Sequence, residues 1–88
     1  MTSAGRTATI VNQRGLHARA AAKFAALAGE FDADISVSKG GQTVSARSIM
    51  GLMMLAAGIG SEIQLSADGS DATAALDAIC KLISDCFQ

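Results

Sequence analysis

The chain contains a single histidine, His17, which stands directly before a dense run of helix-forming residues from Ala18 to Ala28. The first turn of a helix has backbone N–H groups without intrahelical acceptors and the positive end of the helix dipole, so it binds anions. A phosphoryl group on His17 would meet the N–H groups of Ala18 and Arg19. The guanidinium of Arg19 adds a permanent positive charge whose planar donors suit phosphate oxygens. This arrangement indicates a nucleophilic histidine beside an anion site.

Two further cations and a glycine flank this segment. Arg14 and Lys23 extend the positive field, and Gly15 allows the sharp turn that would point the imidazole outward. The net charge is −1, but four basic residues precede the first acid, Glu30, whereas acidic residues dominate beyond residue 60. Considered without its neighbours, His17 could equally be a helix cap or an ordinary surface residue.

The periodicity of the first half predicts a strand, a helix and a hairpin. Residues 6–11 alternate and predict a strand that buries Ala8 and Ile10, and residues 18–28 predict a helix closed by Gly29. The Gly-Gly pair at 40–41 separates two short alternating runs, and glycines accept the positive φ angles of a tight hairpin turn.

The second half predicts two more helices and one strand. Residues 49–56 form a short helix that Gly58 and Gly60 break, and residues 62–67 alternate as a fourth strand. Ser70 or Asp71 caps a final helix that runs to about residue 85, with apolar residues every three or four positions. The order βαββαβα predicts an α+β fold, an open-faced β-sandwich with helices on one face of a four-stranded antiparallel sheet. We expect one domain over residues 1–88.

Composition argues against several functional classes. The longest strongly apolar run, residues 49–59, is shorter than the roughly 20 residues of a membrane helix, and residues 1–6 do not resemble a secretory signal. We therefore expect a cytoplasmic protein that inserts into no membrane. A basic helix and aromatic stacking residues are missing, so nucleic acid is a poor candidate partner. Cys80 and Cys86 lie about 9 Å apart along the predicted last helix and are expected to be packing or surface residues.

The string Gly15-Leu16-His17-Ala18-Arg19 resembles the phosphorylation motif of HPr, the histidine phosphocarrier family of the phosphoenolpyruvate-dependent phosphotransferase system. The resemblance extends over nearly the whole chain. It includes the Gly-Gly hairpin, the segment Ser48-Ile49-Met50-Gly51-Leu52 and the acidic final helix, in the family's order and spacing. One departure is Ala20, because the family usually has proline immediately after the arginine.

The resemblance implies a carrier rather than an enzyme. Phosphorylated Enzyme I would phosphorylate His17 at Nδ1, and an EIIA-type protein would then remove the group, while Arg19 stabilises charge during transfer. The domain would need no metal or cofactor and would act as a monomer. Ala20 leaves the start of the helix less restricted than proline would. The sequence does not distinguish sugar import from a nitrogen-related regulatory branch.

A second site is expected at Ser48. From the residues alone, Ser48 is an N-cap of the short helix. In the family, the serine at this place is also phosphorylated by an ATP-dependent HPr kinase/phosphorylase, which would put about −1.5 to −2 charges at a helix start.

The short helix that follows has more apolar residues than one buried face accommodates. If Leu52 and Leu55 point inward, part of the set Ile49, Met50, Met53 and Met54 must be exposed. Methionine-rich surfaces adapt to several partners. We expect a partner-binding face formed by Ile49, Met50 and Met53 with Ala22 and Lys23 of the first helix, and the resemblance favours Enzyme I as the partner of Ile49 and Met50.

Two other functional classes are alternatives. The first is a regulatory HPr-like adaptor, in a nitrogen-related or catabolite-control branch, that acts mainly through protein binding and phosphorylation of Ser48. Regulators of that kind without transfer activity lack the histidine, so the presence of His17 with Arg19 argues against it. The second is a small-molecule sensor, which would need a ligand groove and usually a dimer.

Overall fold

The computed structural model describes residues 3–88. Met1 and Thr2 lie outside the described residues, although the predicted domain and the segment assessed as a secretory signal both include them. The element order βαββαβα is confirmed. The elements are β1 (Ser3–Thr9), α1 (Ala18–Ala28), β2 (Asp34–Lys39), β3 (Gln42–Ser45), α2 (Ile49–Met54), β4 (Glu62–Asp68) and α3 (Ala72–Ser84). Among these residues, no helix combines the length and the apolar character that crossing a membrane requires.

The four strands form one antiparallel sheet in the order β1-β4-β2-β3. Strand β4, one of the two inner strands, alternates strictly, since Ile63, Leu65 and Ala67 are buried while the residues between them are exposed. Strand residues of alternating type present opposite faces of a sheet. The apolar face packs against the helices, and the polar face is open, as the predicted open-faced sandwich requires.

The core is a single apolar cluster between this sheet face and the helices. From α1 it takes Phe24 with alanines around it, and from α3 it takes Leu76, Ile79 and Ile83. Apolar residues at spacings of three and four place one stripe of each helix against the sheet. The apolar stripe predicted for the last helix is therefore confirmed, and α1 buries a stripe of the same kind. Because α1 is packed into this core, its first residue, Ala18, is held in a fixed place relative to the sheet.

The hairpin between β2 and β3 turns at Gly40 and Gly41, whose φ angles are 56° and 84°. Two consecutive positive φ angles are characteristic of the two-residue hairpin turn of type I′, in which glycine is preferred. The predicted hairpin is confirmed.

Two predicted boundaries are wrong. The first strand runs from Ser3 to Thr9 rather than over residues 6–11, because β4 extends to Asp68 and provides a partner for Ser3. The second helix ends at Met54 rather than at residue 56, and the first positive φ after it is at Ala56, at 53°, before the chain reaches Gly58 and Gly60. The buried neighbours Leu55 and Ala57 pin the chain on both sides of this turn, so packing overrides the preference for glycine.

The predicted cap of the last helix is wrong in its contacts. Asp71 occupies the N-cap position of α3, but its side chain makes no capping hydrogen bond. Its carboxylate instead accepts a hydrogen bond from the backbone N–H of Asp32 at 2.7 Å, and Ser70 Oγ donates to the carboxylate of Asp32 at 2.9 Å. These polar groups therefore join the start of α3 to the loop after α1.

Candidate functional site

His17 is the N-cap residue of α1. Its backbone is extended, with φ −72° and ψ 175°, and its side chain makes no capping hydrogen bond. The residue is half-buried at the surface. The imidazole is therefore not engaged in a structural role at the helix start, and it remains accessible to a second molecule.

The first turn of α1 offers three backbone donors beside this ring. The first hydrogen bond of the helix runs from Ala21 N–H to the carbonyl oxygen of His17, at 2.8 Å. Within residues 3–88, no acceptor receives the N–H groups of Ala18, Arg19 or Ala20. A proline in place of Ala20 would have removed the third of these donors. The helix start thus has the arrangement of an anion site.

The surface beside His17 is strongly cationic. A cavity of about 280 Å³ is lined by Arg14, His17, Arg19, Ala20, Lys23, Cys86, Phe87 and Gln88, with no aspartate or glutamate among these lining residues. In the described chain the guanidinium groups of Arg14 and Arg19 make no hydrogen bond or ion pair, so both can meet an external anion. Lys23 differs, because its Nζ donates to the carbonyl oxygen of Phe87 at 2.8 Å.

The loop before His17 is packed directly against the connection between α2 and β4. Gly15 has φ 63°, and a Cβ at this position would lie 2.3 Å from the carbonyl oxygen of Ala57. The next residue, Leu16, is buried and donates its N–H to the same oxygen at 2.9 Å. Glycine is required here for the backbone angle and for the close approach. This contact explains why a glycine precedes the histidine by two residues.

The C-terminal turn is the part of the site that sequence reasoning missed. Cys86 and Phe87 both have positive φ, and Phe87 is buried, so the chain folds back from α3 toward the start of α1. The prediction that Cys86 lies on the last helix is therefore wrong, because α3 ends at Ser84, and Cys86 lines the same cavity as His17. No sequence pattern predicts a positive φ at a cysteine or a phenylalanine, because bulky residues rarely adopt that conformation.

The two cysteines should differ in reactivity, and the difference gives a test of the cavity. Burial raises the pKa of the Cys80 thiol, with Arg6 opposing and Asp77 adding to the shift. At pH 7.5 a maleimide should therefore modify exposed Cys86 first, and modification of Cys80 should accelerate only at higher pH, because the thiolate is the reactive form. If His17 is phosphorylated, as the resemblance to HPr implies, a bulky label on Cys86 should slow that reaction several-fold. The rate of Cys86→Ser treated in the same way should not change, and equal slowing of both proteins would contradict the prediction.

Ser48 is the N-cap of α2, as predicted. Its Oγ accepts a hydrogen bond from the N–H of Gly51 at 2.9 Å. It lines neither the cavity of about 280 Å³ nor the smaller one that His17 lines together with Ala57. The structure thus places the two predicted sites at the starts of two different helices.

The exposed methionines of α2 form a surface patch, as the sequence predicts. Met50 and Met54 are 69% and 65% exposed, and Ile49 and Met53 are 42% and 40% exposed. Leu52 and Leu55 point inward. We call Ile49, Met50, Met53 and Met54 the methionine patch. Because α2 packs against α1, the patch lies on the same helical layer that carries Ala22, which is exposed, and Lys23, which is half-buried.

A larger cavity lies away from this histidine. It has a volume of about 420 Å³ and is lined by Asp32, Ala33, Asp34, Arg47, Asp68, Gly69 and Ser70, none of which the sequence predicted as functional. Arg47 donates to two backbone carbonyl oxygens there, which gives it a structural role. Over residues 3–88, no group of three or more potential ligands could bind a metal ion.

The comparisons with known proteins all point to one family. The family model described as the PTS HPr component phosphorylation site matches residues 4–85. Phosphocarrier protein NPr of Shewanella violacea is 53% identical over 88 residues, which cover 100% of this chain and 97% of that protein. Phosphocarrier protein HPr of Cupriavidus necator is 52% identical and covers 93% of this chain and 92% of its own. The crystal structure of a phosphocarrier protein HPr from Bacillus anthracis superposes with a TM-score of 0.89 at 42% identity, covering 94% of this chain and 99% of the other.

Proposed function

Because this chain belongs to the HPr family of phosphocarrier proteins, we propose that it carries a phosphoryl group on Nδ1 of His17. Phosphorylated Enzyme I is the donor, and EIIA-type proteins are the acceptors. The observation that supports this most directly is the position of His17 at the N-cap of α1, beside three free backbone donors. On this proposal the protein works in the cytoplasm, where phosphoenolpyruvate charges Enzyme I.

The transfer exchanges one P–N bond for another. The lone pair of His17 Nδ1 attacks the phosphorus, the bond between phosphorus and the donor histidine of Enzyme I breaks, and that ring takes back the electron pair. The transition state is loose, with charge spread over three equatorial oxygens. The N–H groups of Ala18 and Arg19 and the Arg19 guanidinium stabilise that charge. Because the protein itself receives the phosphoryl group and later gives it up, it is a transient covalent intermediate rather than an enzyme. The transfer requires no cofactor or metal.

Partner docking would use the methionine patch and the exposed part of α1. Ile49, Met50 and Met53 are exposed on α2, α2 packs against the helix that carries Ala22 and Lys23, and Lys23 also lines the cationic cavity beside His17. A partner with apolar residues surrounded by acidic ones would complement both features. Enzyme I is the partner that we assign to this face, and an EIIA-type protein must cover the same histidine. The two partners therefore compete for one surface.

The test is incubation of the purified protein with Enzyme I and labelled phosphoenolpyruvate. We expect a single phosphoryl group that is lost in acid and stable in base, as phosphohistidine is. Phosphorus–nitrogen couplings in NMR spectra should assign it to Nδ1. The label should then pass to an added EIIA-type protein. Acid-stable label, or no label while Enzyme I itself becomes phosphorylated, would reject the proposal.

Regulation through Ser48 forms part of the proposal. A phosphoserine would place about −1.5 to −2 charges beside the methionine patch, where an acidic partner would be repelled. An HPr kinase/phosphorylase is the enzyme that would add the group. The cap geometry is compatible with modification, because the helix start tolerates an anion.

The charge effect can be separated from the cap. Ser48→Asp keeps a cap acceptor and adds a negative charge, whereas Ser48→Asn keeps a cap of similar strength without the charge. We expect Ser48→Asp to slow phosphorylation of His17 by Enzyme I and Ser48→Asn to leave it near the parent rate. Steady-state rates at varied concentration of each variant measure this. Equal rates for all three proteins would remove the regulatory role.

A regulatory branch is the second candidate function. The observation in its favour is that the relative from Shewanella violacea, which matches over the full chain, is named NPr, while another at nearly the same identity is named HPr. In that branch the protein acts mainly through protein binding and phosphorylation of Ser48. Offering the phosphorylated protein to EIIA-type proteins of a sugar-import system and of a nitrogen-related system, and comparing the transfer rates, distinguishes the two.

A further inference from the structure

Asn12 is joined twice to Gly15 in the loop that leads from β1 to His17. Its side-chain Nδ2 donates to the carbonyl oxygen of Gly15 at 2.9 Å, and the backbone N–H of Gly15 donates to the carbonyl oxygen of Asn12 at 3.2 Å. The two bonds run in opposite directions and close a four-residue turn. The side-chain amide thus bonds the backbone of its own turn and fixes the orientation of the Gly15 peptide.

The other end of that turn is pinned to a different part of the chain. Gly15 lies against the backbone of Ala57, and Leu16 donates its N–H to the Ala57 carbonyl oxygen at 2.9 Å. Leu16 is buried, so its side chain anchors the same segment in the core. His17 is the next residue. The backbone that carries the imidazole is therefore held by the Asn12 amide on one side and by Ala57 on the other.

One atom of the Asn12 side-chain amide is buried without a hydrogen bond to the described part of the protein. Its Oδ1 is buried and accepts no hydrogen bond from any protein group in the described residues. A buried polar atom without a partner destabilises a fold, and an apolar residue at this place would avoid the penalty. Nδ2 provides the compensating contact, which is the bond to Gly15. The side chain is thus tied to the loop through its Nδ2 bond to Gly15, so a change at Asn12 acts first on the position of that loop.

From these contacts we infer that Asn12 is a positioning residue for phosphoryl transfer, which sets the direction of the His17 ring relative to the free N–H groups of α1. The inference rests on the proposed function for its catalytic consequence. Asn12 does not touch the phosphoryl group. It acts through Gly15 and Leu16, and a reacting atom displaced by about 1 Å can slow a reaction by about 100-fold.

The experiment compares Asn12→Ala and Asn12→Asp with the control Gln13→Ala, which changes the exposed neighbour in the same turn. Asn12→Asp keeps the size of the side chain but directs an oxygen at the Gly15 carbonyl oxygen. With Enzyme I, both Asn12 variants should show kcat reduced by about 10- to 100-fold and KM within two-fold of the parent, because the methionine patch is unchanged. Gln13→Ala should match the parent in both constants.

A second measurement does not depend on phosphorylation. In NMR spectra, the Asn12 variants should shift the ring resonances of His17 and increase exchange of the Leu16 amide by about ten-fold or more, while the resonances of the strands stay in place. Unchanged ring resonances with unchanged exchange would overturn the inference, and so would a loss found only in KM. If Enzyme I fails to label even the parent, the proposed function fails, and the NMR result still decides whether Asn12 positions His17.

Discussion

His17→Ala should accept no phosphoryl group from Enzyme I, at any concentration of either protein. The chain contains one histidine, so no other imidazole can replace it. The fold should be unaffected, since the His17 side chain caps no helix and lies half-buried at the surface. We expect the free energy of unfolding to change by less than about 0.5 kcal/mol. Acid-labile label and urea unfolding, measured on the same preparations, check both halves of the prediction.

Arg19→Ala is the matched control for this result. It removes a cation from the cavity but leaves the nucleophile in place, so slow labelling should persist, and label should accumulate with time. A stable His17→Ala protein that still acquires acid-labile label would place the phosphoryl group elsewhere and end the proposal. If Arg19→Ala labelled at the parent rate, only the role assigned to the guanidinium would fail.

Gly15→Ala should damage both stability and transfer. The new Cβ would lie 2.3 Å from the Ala57 carbonyl oxygen and 2.8 Å from Gly58 Cα, and the backbone is at φ 63°. Positive φ at a non-glycine residue costs about 1 to 2 kcal/mol. Displacing the loop also breaks the bond from Leu16 to Ala57, worth about 1 kcal/mol. We expect the free energy of unfolding to fall by about 2 to 3 kcal/mol and the transfer rate to fall by about 10- to 100-fold.

Two other glycines separate the causes of that loss. A Cβ at Gly58 meets nothing within 4 Å, and its φ is not positive, so Gly58→Ala should be close to neutral. A Cβ at Gly40 also meets nothing within 4 Å, but the φ of Gly40 is positive. Gly40→Ala should therefore show the cost of the backbone conformation alone. Urea unfolding of the three variants measures the series. If Gly15→Ala were no more destabilising than Gly40→Ala, the close approach to Ala57 would have no energetic consequence.

The fold was largely predictable because its long elements carry strong periodicity. Strict alternation in β4 and three-and-four spacing in α3 determine which faces are buried, and these faces determine the layers. The errors occur where a tertiary contact decides a boundary. Ala56 ends α2 in a left-handed conformation because its neighbours are buried, and Asp71 bonds Asp32 rather than its own helix. Local propensity contains no information about such partners.

The candidate site was predictable where its residues are contiguous. His17, Arg19 and Lys23 come from one segment, so their shared cavity follows from helix geometry. The remaining parts come from elsewhere in the chain. Cys86 reaches the cavity through a turn that propensity disfavours, and the Ala57 carbonyl oxygen approaches Gly15 across the fold. Asn12 was not predicted as part of the site, because its bond to Gly15 depends on the conformation of the folded loop.

Within the described chain every fully buried residue is apolar, and Asn12 buries only its amide oxygen. Adding a phosphoryl group at the surface therefore disturbs no internal packing, and the loaded and unloaded forms should have the same shape. A donor and an acceptor protein would then have to tell the two forms apart by their electrostatic potential. Such recognition acts mainly on the association rate and weakens as ionic strength increases.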